Sequence, residues 1–108
     1  MRKFVAIAAL GLVAIWLGFG WRQNSVRDAA FEQTAIGDTE AVVIARFGKP
    51  DHIEPAGKLY VRYASVACNA PCESRLWWED ALLPGIGAWS VELGPDRRVI
   101  HTTRWVSP

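Results

Sequence analysis

The chain has 108 residues, with 12 basic and 11 acidic side chains and a formal net charge of +1. This length allows one small domain, and the near-neutral charge provides no basic field that would attract nucleic acid. The apolar residues are concentrated near the N-terminus, where they define the first predicted element.

An almost unbroken apolar run covers residues 4–19 and directly follows Arg2 and Lys3. A helix through residues 4–21 would span about 27 Å, close to the roughly 30 Å hydrocarbon core of a bilayer. The basic end is expected to stay in the cytoplasm. The segment is therefore predicted to carry the remainder of the chain across the membrane.

Two interpretations of residues 1–21 remain open, an uncleaved membrane anchor and a cleaved secretory signal. A lipoprotein signal would need a cysteine directly after the run, and the sequence has none there. We expect residues 22–108 to form a periplasmic domain. It would be held at the inner membrane by a single transmembrane helix, or released into the periplasm after signal cleavage.

A short helix is predicted first in the domain, from Ser25 to about Gln33, since Ser25 and Asp28 have the spacing of a capping box. A second helix is predicted over residues 39–47. A glycine provides a turn before it, a threonine is its N-cap, and a valine and a phenylalanine four residues apart form an apolar stripe. A glycine and a proline then end it. In order, these residues are Gly37, Thr39, Val43, Phe47, Gly48 and Pro50.

An antiparallel sheet is predicted after the helices, because the apolar pattern changes to a period of two. Residues 58–67 are interpreted as its first strand, and residues 89–106 as a hairpin with its turn at 94–97. Residues 75–87 fit a strand, a short helix or a loop. The last strand is expected to place these side chains on one face: Val99, His101, Thr103 and Trp105. The predicted class is α+β, with an N-terminal membrane helix and two short helices packed on three or four antiparallel strands.

Two cysteines, Cys68 and Cys72, flank a turn-like sequence. Outside the cytoplasm such a pair is expected to form a structural disulfide, which would contribute about 2 kcal/mol by closing a short loop. Two alternatives remain, a redox-active pair and part of a metal site that recruits His52 and His101.

The string from Gly37 to Pro50, followed by an antiparallel hairpin, resembles the signature of the SmpA/OmlA (BamE-like) domain family. The resemblance covers roughly residues 26–106 and is specific only across residues 37–50. It implies two small helices on one face of an antiparallel sheet, and a non-catalytic module that contacts protein partners and lipid in envelope assembly. The motif residues are all explained by backbone geometry or burial, so they predict a scaffold rather than a site.

This chain departs from the family by lacking the lipidated cysteine and by having a cysteine pair and a tryptophan-rich insertion. If Trp77 and Trp78 are extended, they point to opposite faces of the strand. One of them is then a candidate for an exposed contact with a partner or a membrane. The alternative is that the surrounding loop covers both rings.

Few residues predict acid–base chemistry, and we expect no enzymatic activity and no cofactor. The candidates are His52 with Asp51 or Glu54, His101, and the adjacent carboxylates Glu79 and Asp80. We expect His52 and its neighbours to lie in a solvated loop, because no nucleophile or phosphate-binding loop is near them in sequence, and His101 to lie half-buried or on the sheet surface. Glu79 and Asp80 are expected in solvent, since adjacent residues of a strand point to opposite faces.

Two functions from different classes follow from these patterns. The first is a non-catalytic, membrane-anchored module that binds an unknown periplasmic or envelope protein. The second is a small thiol redox or metal-handling protein that uses Cys68 and Cys72.

Overall fold

The computed structural model describes residues 2–106, and the side chains of residues 5–106. It contains two helices and four strands, namely α1 (Arg2–Gln33), α2 (Glu40–Phe47), β1 (His52–Pro55), β2 (Ser74–Glu79), β3 (Gly87–Leu93) and β4 (Val99–Val106). The strands form one antiparallel sheet in the order β1-β2-β3-β4. The α+β class is confirmed, and the sheet has four strands.

Helix α1 is continuous through the point where a separate helix beginning at Ser25 was predicted. The prediction of two short helices is therefore wrong, and only α2 is short. Residues 22–24 are polar but include no glycine or proline, so nothing in them interrupts a helix. The predicted boundary between residues 21 and 22 lies inside α1. The first half of α1 extends away from the domain, which gives the molecule extents of 60 × 26 × 20 Å.

The second half of α1 packs on the domain through one face. Gly20, Asn24, Arg27 and Phe31 recur at spacings of four, three and four residues, which places them on the same side of a helix. Gly20 and Arg27 are buried, and Asn24 and Phe31 are half-buried. Ala30 beside them is only 3% exposed and belongs to the core.

Helix α2 forms as the sequence predicts. The Thr39 hydroxyl accepts a hydrogen bond from the Val42 N–H at 3.3 Å, and Val43 and Phe47 are buried. Gly48 has a φ of 90°, a conformation that glycine adopts without a Cβ clash, and its N–H donates to the Ile44 carbonyl at 2.8 Å. Both ends of the helix are thus fixed by local chemistry.

The apolar core lies between the two helices and one face of the sheet. Its strand residues are Leu76 and Trp78 from β2, Trp89, Val91 and Leu93 from β3, and Val99 from β4. The Phe47 ring of α2 stacks on Trp78 with centroids 4.2 Å apart. The sheet therefore presents one continuous apolar face to the helices.

Residues 58–67 do not form the predicted strand; strand β1 lies earlier, at residues 52–55. Residues 60–64 make a helical turn instead, in which the Tyr60 carbonyl accepts from the N–H groups of Tyr63 and Ala64 at 3.3 and 3.1 Å. This turn brings the three side chains together over Trp77. Residues three and four positions apart lie on the same side of a helical turn, so Tyr60, Tyr63 and Ala64 share one face. The alternation with period two, which predicted a strand, was misleading.

A β-bulge changes the predicted faces of β4. Glu92 pairs with His101 but Leu93 pairs with Val99, so Ile100 is an extra residue in β4. Val99 therefore packs in the helix-side core, whereas His101 lies opposite Glu92 on the other face. The prediction that Val99 shares a face with His101 is wrong for this reason.

Candidate functional site

The sheet face opposite the helices is covered by residues 56–73, here named the disulfide loop. Its two ends are held together by a hydrogen bond of 3.1 Å from the Ala56 N–H to the Glu73 carbonyl. Within it, the Gly57 N–H donates to the Cys68 carbonyl at 2.9 Å. Both faces of the sheet are therefore covered, one by helices and the other mainly by this loop.

A buried carboxylate, Glu54 of β1, joins the disulfide loop to the sheet. It is 0% exposed and accepts four hydrogen bonds. Arg75 of β2 provides two, from Nε at 3.0 Å and Nη2 at 2.8 Å, and Trp77 Nε1 provides a third at 2.9 Å. The fourth comes from the backbone N–H of Cys68 at 3.1 Å. Arg75 Nη2 also donates to the Val66 carbonyl at 2.7 Å.

Electrostatics keep Glu54 ionised in this environment. Burial by itself raises the pKa of the carboxyl, but hydrogen bonds from Arg75, Trp77 and the Cys68 N–H outweigh it. The pKa of Glu54 consequently lies below its ordinary value of 4.5. Glu54 was expected in a solvated loop beside His52, and that expectation is wrong.

The predicted disulfide between Cys68 and Cys72 is present, and the described residues include no free cysteine. The two residues are 0% and 4% exposed. Reactive cysteines normally lie in partly exposed, electropositive surroundings. This burial favours a structural role, in which the disulfide holds the Cys68 N–H against Glu54.

Trp77 and Trp78 point to opposite faces of β2 as predicted, but both are 0% exposed. Trp77 lies under the disulfide loop, where Tyr63 stacks on it with centroids 5.5 Å apart. Trp78 lies under α2, and its Nε1 donates to the Gly48 carbonyl at 3.1 Å. The expectation of an exposed ring is therefore wrong, since each face of the sheet has its own cover.

The histidines do not join the cysteines. His52 belongs to β1 and stacks on Tyr60 with centroids 3.9 Å apart. His101 is an exposed residue of β4, in agreement with the predicted sheet surface. Among the described residues, no three His, Cys, Asp or Glu side chains are placed to hold a metal ion.

A second buried polar cluster joins α1 to residues 80–87, here named the β2–β3 loop. This name covers the connection after β2 and also Gly87, the first residue of β3. Asn24 donates from Nδ2 to Asp80 Oδ1 and accepts from the Ala81 N–H, each at 2.9 Å. Asp80 Oδ1 also accepts from the N–H groups of Leu82 and Leu83 at 2.9 Å. The loop is thus fastened to the helix through both atoms of one amide side chain.

Asp80 and Glu79 were expected in solvent, and the structure corrects this. Burial by itself raises the pKa of Asp80, but the hydrogen bonds from Asn24 and from the N–H groups of Leu83 and Leu82 together have the larger, opposite effect. The pKa of Asp80 therefore lies below its ordinary value. Glu79 is half-buried, with its carboxylate 3.1 Å from Arg62 Nε. The two carboxylates therefore have separate partners and do not form a pair.

Two further residues of α1 contact the sheet. The Asp28 carboxylate accepts from Trp89 Nε1 at 3.0 Å. The Arg27 guanidinium donates to the Glu79 carbonyl and lies 3.4 Å from the Asp51 carboxylate. These contacts fix the direction in which α1 leaves the domain.

The outer edge of β4 is covered only at its beginning. Residues 37–40 lie along it, where Gly37 donates to the Val99 carbonyl at 2.8 Å and the Val99 N–H donates to Asp38 at 2.9 Å. Thr39 also forms an isolated bridge with Arg98. Within residues 2–106, no strand pairs with the outer edge of residues 100–106.

Sequence reasoning missed Glu54 as the centre of a network, although one signal was available. Arg75 directly precedes an apolar run, Leu76 to Trp78, and an arginine beside a buried strand needs a buried anion. The sequence pattern does not show which carboxylate pairs with Arg75. The partner, Glu54, belongs to strand β1, which the hydrophobic periodicity did not predict.

No family model, curated protein or solved structure matches this chain. The resemblance to the SmpA/OmlA (BamE-like) family therefore stays a prediction.

Proposed function

We propose that this protein is a membrane-anchored, non-catalytic envelope module whose periplasmic domain binds another envelope protein. One observation carries the proposal: α1 is a single helix with an apolar half that is free of the domain and a second half that belongs to its core.

The anchor is supported by the exposure of α1. All residues from 5 to 19 are exposed, although they are almost entirely apolar. The helix is long and apolar enough to cross a membrane. Such an apolar surface is unfavourable in water and suits a lipid environment. Arg2 and Lys3 favour retention of the N-terminus in the cytoplasm, which would leave the domain in the periplasm.

The non-catalytic role is supported by the way in which the buried ionisable groups are used. Glu54 is held by four donors, and Asp80 by an amide and two backbone N–H groups. Groups held in this way stabilise the fold and have little freedom to transfer protons to a substrate.

The outer edge of β4 is the surface we propose for the partner. Its beginning already pairs with a short segment of the same chain, residues 37–40. Within residues 2–106, no strand pairs with the outer edge of the remainder, residues 100–106. An extended segment of a partner can add to such an edge as a further strand.

In-cell photo-crosslinking tests this surface. A photoreactive residue at His101 or Val106, both exposed on β4, is expected to capture one specific envelope protein. Ile36 is 77% exposed and lies off the strand, so it provides the matched control. Absence of adducts from both β4 positions, with full expression, would contradict binding at this edge.

Membership in the SmpA/OmlA (BamE-like) family and a role in envelope or outer-membrane assembly are parts of the same proposal. The capped helix α2 followed by an antiparallel hairpin supports them. Identification of the captured protein as an assembly component is the expected result, and capture of an unrelated enzyme would argue against this role.

A further inference from the structure

The β2–β3 loop contains an uncharged stretch at residues 81–87, with the sequence Ala-Leu-Leu-Pro-Gly-Ile-Gly. Two of its large apolar side chains point into the surroundings, since Leu83 is 54% and Ile86 46% exposed. Pro84 between them is also exposed. The tip of the loop therefore presents an apolar surface without any side chain that prefers water.

The backbone N–H groups of this stretch need no hydrogen bonds to water. Its six N–H groups all donate within the protein: Ala81 to Asn24, Leu82 and Leu83 to Asp80, Gly85 to the Tyr63 hydroxyl, and Ile86 and Gly87 to the Leu83 carbonyl. Pro84 has no N–H to satisfy. In an apolar medium an unsatisfied N–H costs several kcal/mol, so internal pairing of this kind is what membrane contact requires.

The position of the loop along α1 is fixed by Gly20. An added Cβ at this glycine would lie 2.3 Å from Leu82 Cδ2, so the leucine packs directly on the helix backbone. Phe19 and Trp21 on either side are 63% and 72% exposed. The loop therefore meets α1 where its apolar half ends, and a tryptophan at that level suits a membrane–water interface.

We propose that the tip of the β2–β3 loop, residues 81–87, inserts into the membrane interface beside α1, with the acyl and headgroup boundary of the lipid as its partner. The inference rests on the proposed membrane span of α1. Leu82 of the loop packs on Gly20, where the apolar half of α1 ends. Asn24 and Asp80 hold the loop and the helix together. The domain then has two points of membrane contact, which fix its orientation.

Depth-dependent quenching in vesicles tests this inference. The full chain is reconstituted in phosphatidylcholine vesicles with an environment-sensitive fluorophore on Leu83→Cys; the native cysteines remain buried in their disulfide. A probe at the interface lies about 5–10 Å into the boundary region, so lipids labelled near the headgroup should reduce its emission to roughly half. Ile36→Cys, at an isoleucine that is 77% exposed and lies away from the loop, should be quenched by aqueous iodide instead.

A probe at Leu12→Cys, in the exposed apolar half of α1, separates the two levels of the proposal. Quenching at position 12 by lipids labelled within the acyl chain, together with headgroup-lipid quenching at position 83, supports both the span and the loop insertion. Quenching at position 12 with iodide access at position 83 would overturn the loop insertion and leave the anchor intact. Iodide access at position 12 would overturn the anchor itself. A blue-shifted probe at position 83 that neither quencher reaches would indicate protein–protein contact and would also overturn lipid insertion.

Discussion

Arg75 is only 4% exposed, and its guanidinium provides two of the four hydrogen bonds to Glu54. Removing one partner of a buried ion pair leaves the other charge without compensation, which typically costs 3–5 kcal/mol. We therefore expect Arg75→Met to lower the free energy of unfolding by about 3–5 kcal/mol. Urea unfolding of the full chain in detergent micelles, followed by tryptophan fluorescence, measures this change.

A matched control for Arg75→Met is Arg62→Met. Arg62 also pairs with a glutamate, at 3.1 Å, but its side chain is 48% exposed. Exposed pairs contribute about 1 kcal/mol or less, so this variant should remain close to the wild type. Equal losses for the two variants would show that the burial of Glu54 does not govern the energetics of its pair.

Acid should weaken the fold through Glu54. Burial opposes ionisation, but the bonds from Arg75, Trp77 and the Cys68 N–H prevail, so the pKa of Glu54 lies below 4.5. The unfolded chain therefore binds the proton at a higher pH than the folded chain. Stabilisation by this group is present above pH 4.5 and is lost as the pH falls towards the folded pKa.

Glu54→Gln isolates this contribution. The variant is expected to be less stable at neutral pH and to show a shallower loss of unfolding free energy below about pH 4.5. Glu73→Gln, which changes an exposed carboxylate at the end of the disulfide loop, serves as the control. An acid dependence in Glu54→Gln as steep as in the wild type would contradict the assignment.

Helix α2 shows how local chemistry sets the bounds of an element. The Thr39 hydroxyl satisfies the Val42 N–H at 3.3 Å, and three consecutive β-branched residues, 42–44, make the helix a weak one by propensity. Thr39→Ala should therefore destabilise the domain by about 1 kcal/mol, whereas Thr39→Ser should keep most of the cap. Urea midpoints of the two variants test this, and equal midpoints would mean that the hydroxyl does not act as a cap.

Elements with local signals were predictable from the sequence, and elements with tertiary causes were not. Helix α2 and the β3–β4 hairpin have their own caps and turns. Strand β1 is only four residues long, and its Glu54 pairs with Arg75 on the neighbouring strand. Residues 58–67 alternate like a strand, but residues 60–64 form a turn in which Tyr60 and Tyr63 cover Trp77. Such contacts join residues that are far apart in the chain, so they produce no periodic pattern in the sequence.

The candidate site was predictable in part for the same reason. The disulfide between Cys68 and Cys72 was predictable from the cysteine spacing together with the predicted location outside the cytoplasm. The contact of Asn24 with Asp80 was not, since it depends on α1 remaining helical beyond its apolar half. Once α1 continues, its polar face reaches the β2–β3 loop directly.

At the scale of the whole molecule, the covered faces of the sheet decide where function can lie. The helices cover one face and the disulfide loop covers much of the other, so the tryptophans of β2 are structural. The two surfaces proposed for contacts are the outer edge of β4 and the tip of the β2–β3 loop. They meet at one end of the sheet, where Gly87 pairs with Val106, and the edge of β4 then runs away from the loop towards Ile100. A partner can therefore pair with the far part of this edge while the loop contacts a membrane.

The disulfide also makes the compartment of the domain measurable without an added tag. If the domain is periplasmic, Cys68 and Cys72 should resist maleimide in acid-trapped, unfolded wild-type protein until a reductant is added. Moving positive charge from the N-terminal end of α1 to its domain-side end should make the two cysteines reactive without reductant, because the positively charged flank of a membrane helix stays in the cytoplasm. The test variant removes the two N-terminal charges with Arg2→Gln and Lys3→Gln and adds two charges with Ser25→Lys and Val26→Lys. Ser25 and Val26 are exposed on the domain-side half of α1, so the new lysines do not disturb the core. The variant should keep the domain in the reducing cytoplasm and yield two maleimide adducts without reductant. Free thiols in the wild type would place the domain in the cytoplasm and contradict the proposed topology, whatever the fate of α1 in the membrane.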